Sequence, residues 1–261
     1  MSYYPLLHAP GCRGWTTLCN FAPNNWEATR ASPRFINVTW CADASWQSES
    51  IGVLAPDELR TLRPRDVVEH VPEGALPLLS LTVDKLPSRS DSLPRTDETR
   101  TFVPAWRATL GLESAHVSTC YQGELDPFPA PGSLLTFCPF LQFGTEVENY
   151  VLVLNLENSP VSRVTQVEIY DSQNNELRGS FETRNNALTT IALDGLGFGP
   201  DDYPLIICRT MSAIPLYFSK ASDGSFLSLE HSHPPASYVI HGRRWEAQRA
   251  IKSTWFSKVV P

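Results

Sequence analysis

The sequence predicts an all-β protein: two tandem antiparallel β-sandwich domains, residues 1–128 and 129–261, related by an internal duplication and carrying short helical decorations. Three observations lead there. The apolar runs are short and rich in Val, Ile, Leu, Thr, Phe and Tyr, which favours strands. Prolines, 22 in all, recur between these runs, as in FPAPGS, HPPAS and LPRTD, where they punctuate strands and turns rather than long helices. Five blocks of the first half also recur, in the same order, in the second. A chain of 261 residues is comfortable for two domains of about 120–130 residues each.

Taken along the chain, PDELRTLRPRDVVEH opens like a helix at Pro56-Asp57-Glu58 but meets Pro64, which cannot continue one. NYVLVLNLEN (149–158) reads as a strongly apolar strand. TQVEIYDSQNNELRGSFET follows as a hairpin, with Val167 and Ile169 on one side and SQNNE as its polar turn. ALTTIALDGL (187–196) and YPLIICRTMSAIPLYFSK (203–220) continue the pattern. DGSFLSLEHSH adds a strand after an Asp-Gly turn, with Phe226, Leu227 and Leu229 as its apolar residues. GRRWEAQRAIKSTWFSKV (242–259) is the best helix candidate, with Ala247, Ala250 or Ile251, and Trp255 at helical spacing; a strand with a basic edge is the alternative.

The repeat pairs RGWTTLCNFAPN with GSLLTFCPFLQF (Cys19 opposite Cys138) and FINVTWCADAS with YVLVLNLENSP (Phe35 opposite Tyr150). ELRTLRPRDVV then stands against ALTTIALDGLG (Thr61, Thr190), ALPLLSLTVDKL against DYPLIICRTMSA (Pro77, Pro204), and FVPAWRATL against HGRRWEAQR (Trp106, Trp245). The offset drifts between blocks, so insertions fall in the turns.

Hydrophobic residues make up 42% of the chain and charged residues 19%, enough to bury real cores. The formal net charge of −7 and the lack of any Lys/Arg-rich run argue against a nucleic-acid partner. The N-terminus MSYYPLLHAPGCRGW has no basic region followed by an apolar stretch. No segment approaches the roughly 20 apolar residues that cross a bilayer. A cytoplasmic protein without a transmembrane segment is therefore expected. The cysteines at 12, 19, 41, 120, 138 and 208 show no CxxC spacing, and most read as small buried hydrophobes rather than as disulfides or nucleophiles.

Chemistry is sparse. LEHSHPPASYVIHG holds His231, His233 and His241. On a strand His231 and His233 share a face about 7 Å apart, and His241 can return on the next strand, a set that suits Zn, Fe or Cu. The bland alternative is a strand end facing solvent. His8, His70 and His116 are isolated, and there is no GxSxG, GxGxxG or GxxxxGK[ST]. Asp97-Glu98 and Asp201-Asp202 sit in turn-like contexts. Among the seven tryptophans, Trp15, Trp26, Trp40 and Trp46 either fill wide cores or line a ligand-binding groove.

Gly224, His231 and His233 partly resemble the cupin motif of a glycine, HxH and a later glutamate. The glycine-to-histidine gap is one residue long, and PPASYVI stands where the glutamate belongs. Residues 146–220 resemble the small β-sandwich of sensory-rhodopsin-transducer-like proteins through Asn155, Val167 to Asp171, Asp194 to Leu196, and Ser212 to Leu216. That resemblance implies a cytoplasmic, oligomeric, non-enzymatic sandwich used for ligand or protein contact.

The functional expectation is a non-catalytic protein that binds a protein partner or small ligand, or self-assembles as a homo-oligomer, with no cofactor. The alternatives are a cupin-like enzyme with a transition metal on the histidines, and a carbohydrate-binding or carbohydrate-active protein with an aromatic cleft.

Overall fold

The fold is all-β. A computed structural model of the chain describes residues 2–20, 32–95, 108–138, 141, 146–231 and 243–259, without the side chains of 243–249 and 251. The strands are β1 (Tyr4–Pro5), β2 (His8–Ala9), β3 (Cys12–Asn20), β4 (Arg34–Ala42), β5 (Ser45–Leu54), β6 (Glu58–Leu62), β7 (Leu78–Thr82), β8 (Arg89–Ser90), β9 (Thr109–Glu113) and β10 (Ser118–Gln122). They continue as β11 (Leu134–Phe137), β12 (Val147–Leu154), β13 (Val164–Asp171), β14 (Glu176–Arg184), β15 (Leu188–Ala192), β16 (Pro204–Cys208), β17 (Ile214–Ala221) and β18 (Leu227–His231). The described residues hold one α-helix, α1 (Arg243–Lys258), and no described helix is long and apolar enough to cross a membrane.

The chain divides into two compact units. The first is Met1–Phe128 together with Leu156–Ser162 and Asn186–Leu188; the second is the remainder. In the first unit one sheet runs β1-β7-β4-β5-β8, and the other runs β10-β9-β3, with β6 and β2 along the far side of β3. β3 alternates cleanly: Gly14, Thr16, Leu18 and Asn20 are buried, while the residues between them are partly open. Two of the buried residues reach the other sheet. Thr16 donates to the Pro5 carbonyl at 3.1 Å and Asn20 to the Leu54 carbonyl at 3.0 Å. Leu18, Ile36, Val38, Leu62, Leu79, Leu110 and Leu112 are among the buried apolar residues of these two sheets.

The opposite face of β4, β5 and β7 is buried yet polar. Thr39 and Ser48 share a hydrogen bond of 2.9 Å, and Asn37 Nδ2 donates to Thr82 Oγ1 at 2.7 Å. Asn37 Oδ1 and Ser80 Oγ, on directly opposed residues, are buried without a hydrogen-bond partner. Such an atom forfeits its hydration for nothing. Ser80→Ala is therefore expected to raise stability by about 1 kcal/mol, read by urea unfolding; a loss of that size would mean that the hydroxyl is satisfied. Trp46 ends the same face, and its indole N–H donates to the Asn158 carbonyl at 2.9 Å. That carbonyl also accepts from the Leu93 N–H, at 2.9 Å. Asn186 holds the loop in place: its side chain accepts from the Glu157 N–H at 2.7 Å and donates to the Ser159 carbonyl at 2.8 Å.

In the second unit the sheets run β11-β16-β13-β14 and β15-β12-β17-β18. Val167, Ile169, Ile206 and Cys208 from one sheet, and Val151, Val153, Ile191 and Tyr217 from the other, form a single core. Tyr217 spans it, its hydroxyl donating to the Phe137 carbonyl at 2.7 Å and lying 2.6 Å from Thr136 Oγ1. The opposite face of the first of these sheets is apolar, and α1 covers it: Trp255, Phe256 and Val259 pack on Leu135, Tyr170, Leu205 and Ile207. Arg209 ties down the end of the helix, donating to the Phe256 and Val259 carbonyls and to Glu168.

The β13–β14 hairpin turns on Asp171, which is 2% exposed. Its carboxylate accepts from the Gln173 N–H (2.9 Å), Asn174 Nδ2 (2.9 Å) and Arg178 (3.1 Å). These bonds, the Gln173 N–H first, hold its pKa below the usual carboxylate value. A lowered folded-state pKa contributes stability that is complete above the unfolded value of about 3.9 and is lost as the pH falls below it. Asp171→Asn is thus expected to destabilise the protein at neutral pH and to flatten the acid limb of a stability–pH curve; an unchanged limb would assign that limb to other carboxylates.

The two units share one strand order. β1-β7-β4-β5 corresponds to β11-β16-β13-β14, and β6-β3-β9-β10 to β15-β12-β17-β18, each in chain sequence, with β2 and β8 as extra strands of the first unit. Against that order the five sequence blocks fall unevenly. Thr61/Thr190 and Pro77/Pro204 join strands in the same place, β6 with β15 and the starts of β7 and β16. The Cys19/Cys138 and Phe35/Tyr150 blocks are one strand out of step, setting β3 against β11 and β4 against β12. Trp106 lies outside the described residues, as does the side chain of Trp245. The helix start expected at Pro56 is not formed: Glu58–Leu62 is a strand, because its pairing with β3 outweighs local helix propensity. The break at Pro64 is a 3-10 turn, in which Asp66 accepts from the Arg63 N–H at 2.7 Å.

Candidate functional site

The alternation of β3 turns Arg13, Trp15, Thr17 and Cys19 outward, away from the core of the first unit. Pairing with β6, β9 and β10 sets these residues into rows across the sheet. Arg13 lies opposite Glu113, and Glu113 opposite Ser118. Trp15 lies opposite Gly111, and Gly111 opposite Cys120. Thr61, Thr17, Thr109 and Gln122 form the next row, with the Thr17 and Thr61 hydroxyls 2.7 Å apart. Beyond it are Cys19 and the exposed Leu59.

Trp15 is the centre of this face. Its indole N–H donates to Ser118 Oγ at 3.0 Å, two strands away. The ring therefore crosses Gly111, where a Cβ would stand 2.4 Å from Trp15 Cε2 and 2.6 Å from the Thr119 carbonyl oxygen. Only glycine leaves the indole room to lie on the strand. Gly111→Ala is expected to lift the ring, lengthen or break the Ser118 bond and red-shift the tryptophan emission; unchanged emission would mean that the ring does not depend on Gly111.

In the next row, which also holds Ser118, Arg63 grips Glu113 with two N–H bonds of 3.2 and 3.4 Å. Arg13 approaches the same carboxylate at 3.8 Å while its side chain stays 72% exposed. The geometry is a planar, charge-assisted fork beside a flat aromatic ring. What it offers is stacking and hydrogen bonding.

The structure places the tryptophans read as either core or groove on different faces. Trp15 is half-buried on the outer face, Trp40 is buried in β4, and Trp46 is buried under Asn158. Trp26 lies outside the described residues. His231 ends β18 opposite Leu216, and His233 and His241 lie outside the described residues. Among the described residues no group of three His, Cys, Asp or Glu side chains is placed to hold a metal ion. Gly111, Ser118, Arg13, Arg63 and Glu113 were not legible as site residues. The alternation in RGWTTLCN puts Arg13 with Trp15, but their partners come from strands about a hundred residues away.

No protein-family model matches the chain, and neither a characterised protein nor a solved structure matches it.

Proposed function

We propose that the protein is a non-catalytic binding protein, a duplicated β-sandwich whose recognition surface is the outer face of the β6-β3-β9-β10 sheet. The observation that carries the binding role is the Trp15 indole, pinned by Ser118 across Gly111 with its ring half-buried on an outer sheet face. A stacking surface fixed before the ligand arrives loses little conformational entropy on binding. The duplication is supported by the shared order of eight strands in each unit. It is supported too by two sequence blocks that join corresponding strands.

The test is fluorine NMR of protein labelled with 5-fluorotryptophan, with the Trp15 signal assigned by Trp15→Phe. Soluble saccharides, peptides, nucleotides and short acyl chains would be titrated in turn. A shift of the Trp15 signal with one class, the buried Trp46 signal staying in place, is the expected result. A Trp15 signal that none of the classes moves would overturn the reading.

A further inference from the structure

We infer that the ligand of the Trp15 face is a saccharide, bound with one pyranose ring stacked on the indole. The inference rests on the binding role of that face. The indole N–H is already committed to Ser118, so the ring presents only its π-surface. The C–H face of a pyranose, made partly positive by the ring and hydroxyl oxygens, matches the negative face of an aromatic ring.

The surroundings fit the rim of the sugar. In the neighbouring row, which also holds Ser118, is the Arg63–Glu113 fork, whose donors and acceptors suit adjacent equatorial hydroxyls, with the 72%-exposed Arg13 beside it. In the row on the other side of Trp15 are the hydroxyls and amide of Thr61, Thr17, Thr109 and Gln122. An aromatic ring with polar side chains in the rows on both sides suits a ligand with a C–H face and a hydroxyl edge. A proline or aromatic peptide would use the ring and leave both polar rows idle. A polyanion would meet the Glu113 carboxylate that both arginines approach.

The experiment is isothermal titration of the full chain with cellohexaose, xylohexaose, chitohexaose and mannohexaose, followed by intrinsic fluorescence. At least one is expected to bind with a Kd between about 10 µM and 1 mM. Trp15→Ala should weaken that binding at least ~10-fold, Trp15→Phe by less, and Arg63→Ala by ~3–10-fold. Arg13→Ala alters the most exposed member of the fork, so it tests the polar contact even if another variant unfolds; it too is expected to weaken binding. No binding by any of the four at about 10 mM, or binding that Trp15→Ala leaves unchanged, overturns the inference. If peptides move the Trp15 fluorine signal and saccharides do not, the saccharide falls and the recognition surface stands; if nothing moves it, both fall.

Discussion

Trp46→Ala is expected to lower the unfolding free energy by about 3–5 kcal/mol. The side chain is 1% exposed, so its removal leaves a cavity that the neighbouring β-ladders cannot close. Its hydrogen bond to the Asn158 carbonyl goes as well. Trp46→Phe separates the two contributions. It keeps most of the apolar area and loses the indole N–H, while Leu93 still donates to the same carbonyl, so about 1–2 kcal/mol is expected. Urea unfolding of both variants checks the ordering. Equal losses would mean that the hydrogen bond, not the packing, dominates.

Gly14→Ala is expected to cost about 3 kcal/mol or more and to lower the yield of folded protein. A Cβ on Gly14 would stand 1.8 Å from the Leu7 carbonyl oxygen and 3.1 Å from the Leu7 nitrogen. Both are backbone atoms, so no rotamer change relieves the clash. Either β3 or the segment around Leu7 has to move, and β3 is held by β9 on one side and by β6 on the other. Thermal unfolding of Gly14→Ala beside Gly74→Ala controls for glycine replacement in general. Gly74 has open space around it and a φ of +81°, so its cost is backbone strain alone. A Gly14 variant no less stable than the Gly74 variant would mean that the segment at Leu7 yields easily.

The strand content was legible because it is written locally. NYVLVLNLEN and the Val167/Ile169 hairpin state their periodicity within ten residues, and they form β12, β13 and β14. β6 was misread because ELRTL has good helix formers and its strand state comes from β3, about 40 residues earlier.

The site was half legible. Trp15 stood out as a tryptophan, but nothing in RGWTTLCN separates it from Trp40 or Trp46. The distinction depends on which sheet face each strand buries, and that is decided by pairing. Gly111, one of 14 glycines, acquires meaning only when Trp15 lies across it. Of the paired sequence blocks, Thr61/Thr190 and Pro77/Pro204 join strands in the same place in the two units, while the shared cysteine of Cys19/Cys138 drew unlike strands together.

The Asn158 carbonyl that receives Trp46 comes 112 residues after it in the chain. A ribosome delivers the polypeptide from its N-terminus, so all of Met1–Phe128 is made while Trp46 still lacks its acceptor. The first unit becomes complete only when Leu156–Ser162, and then Asn186, have left the exit tunnel. Its maturation is therefore timed by the second half of the message, and a nascent chain stalled shortly after Phe128 would present an open tryptophan face to any chaperone waiting there.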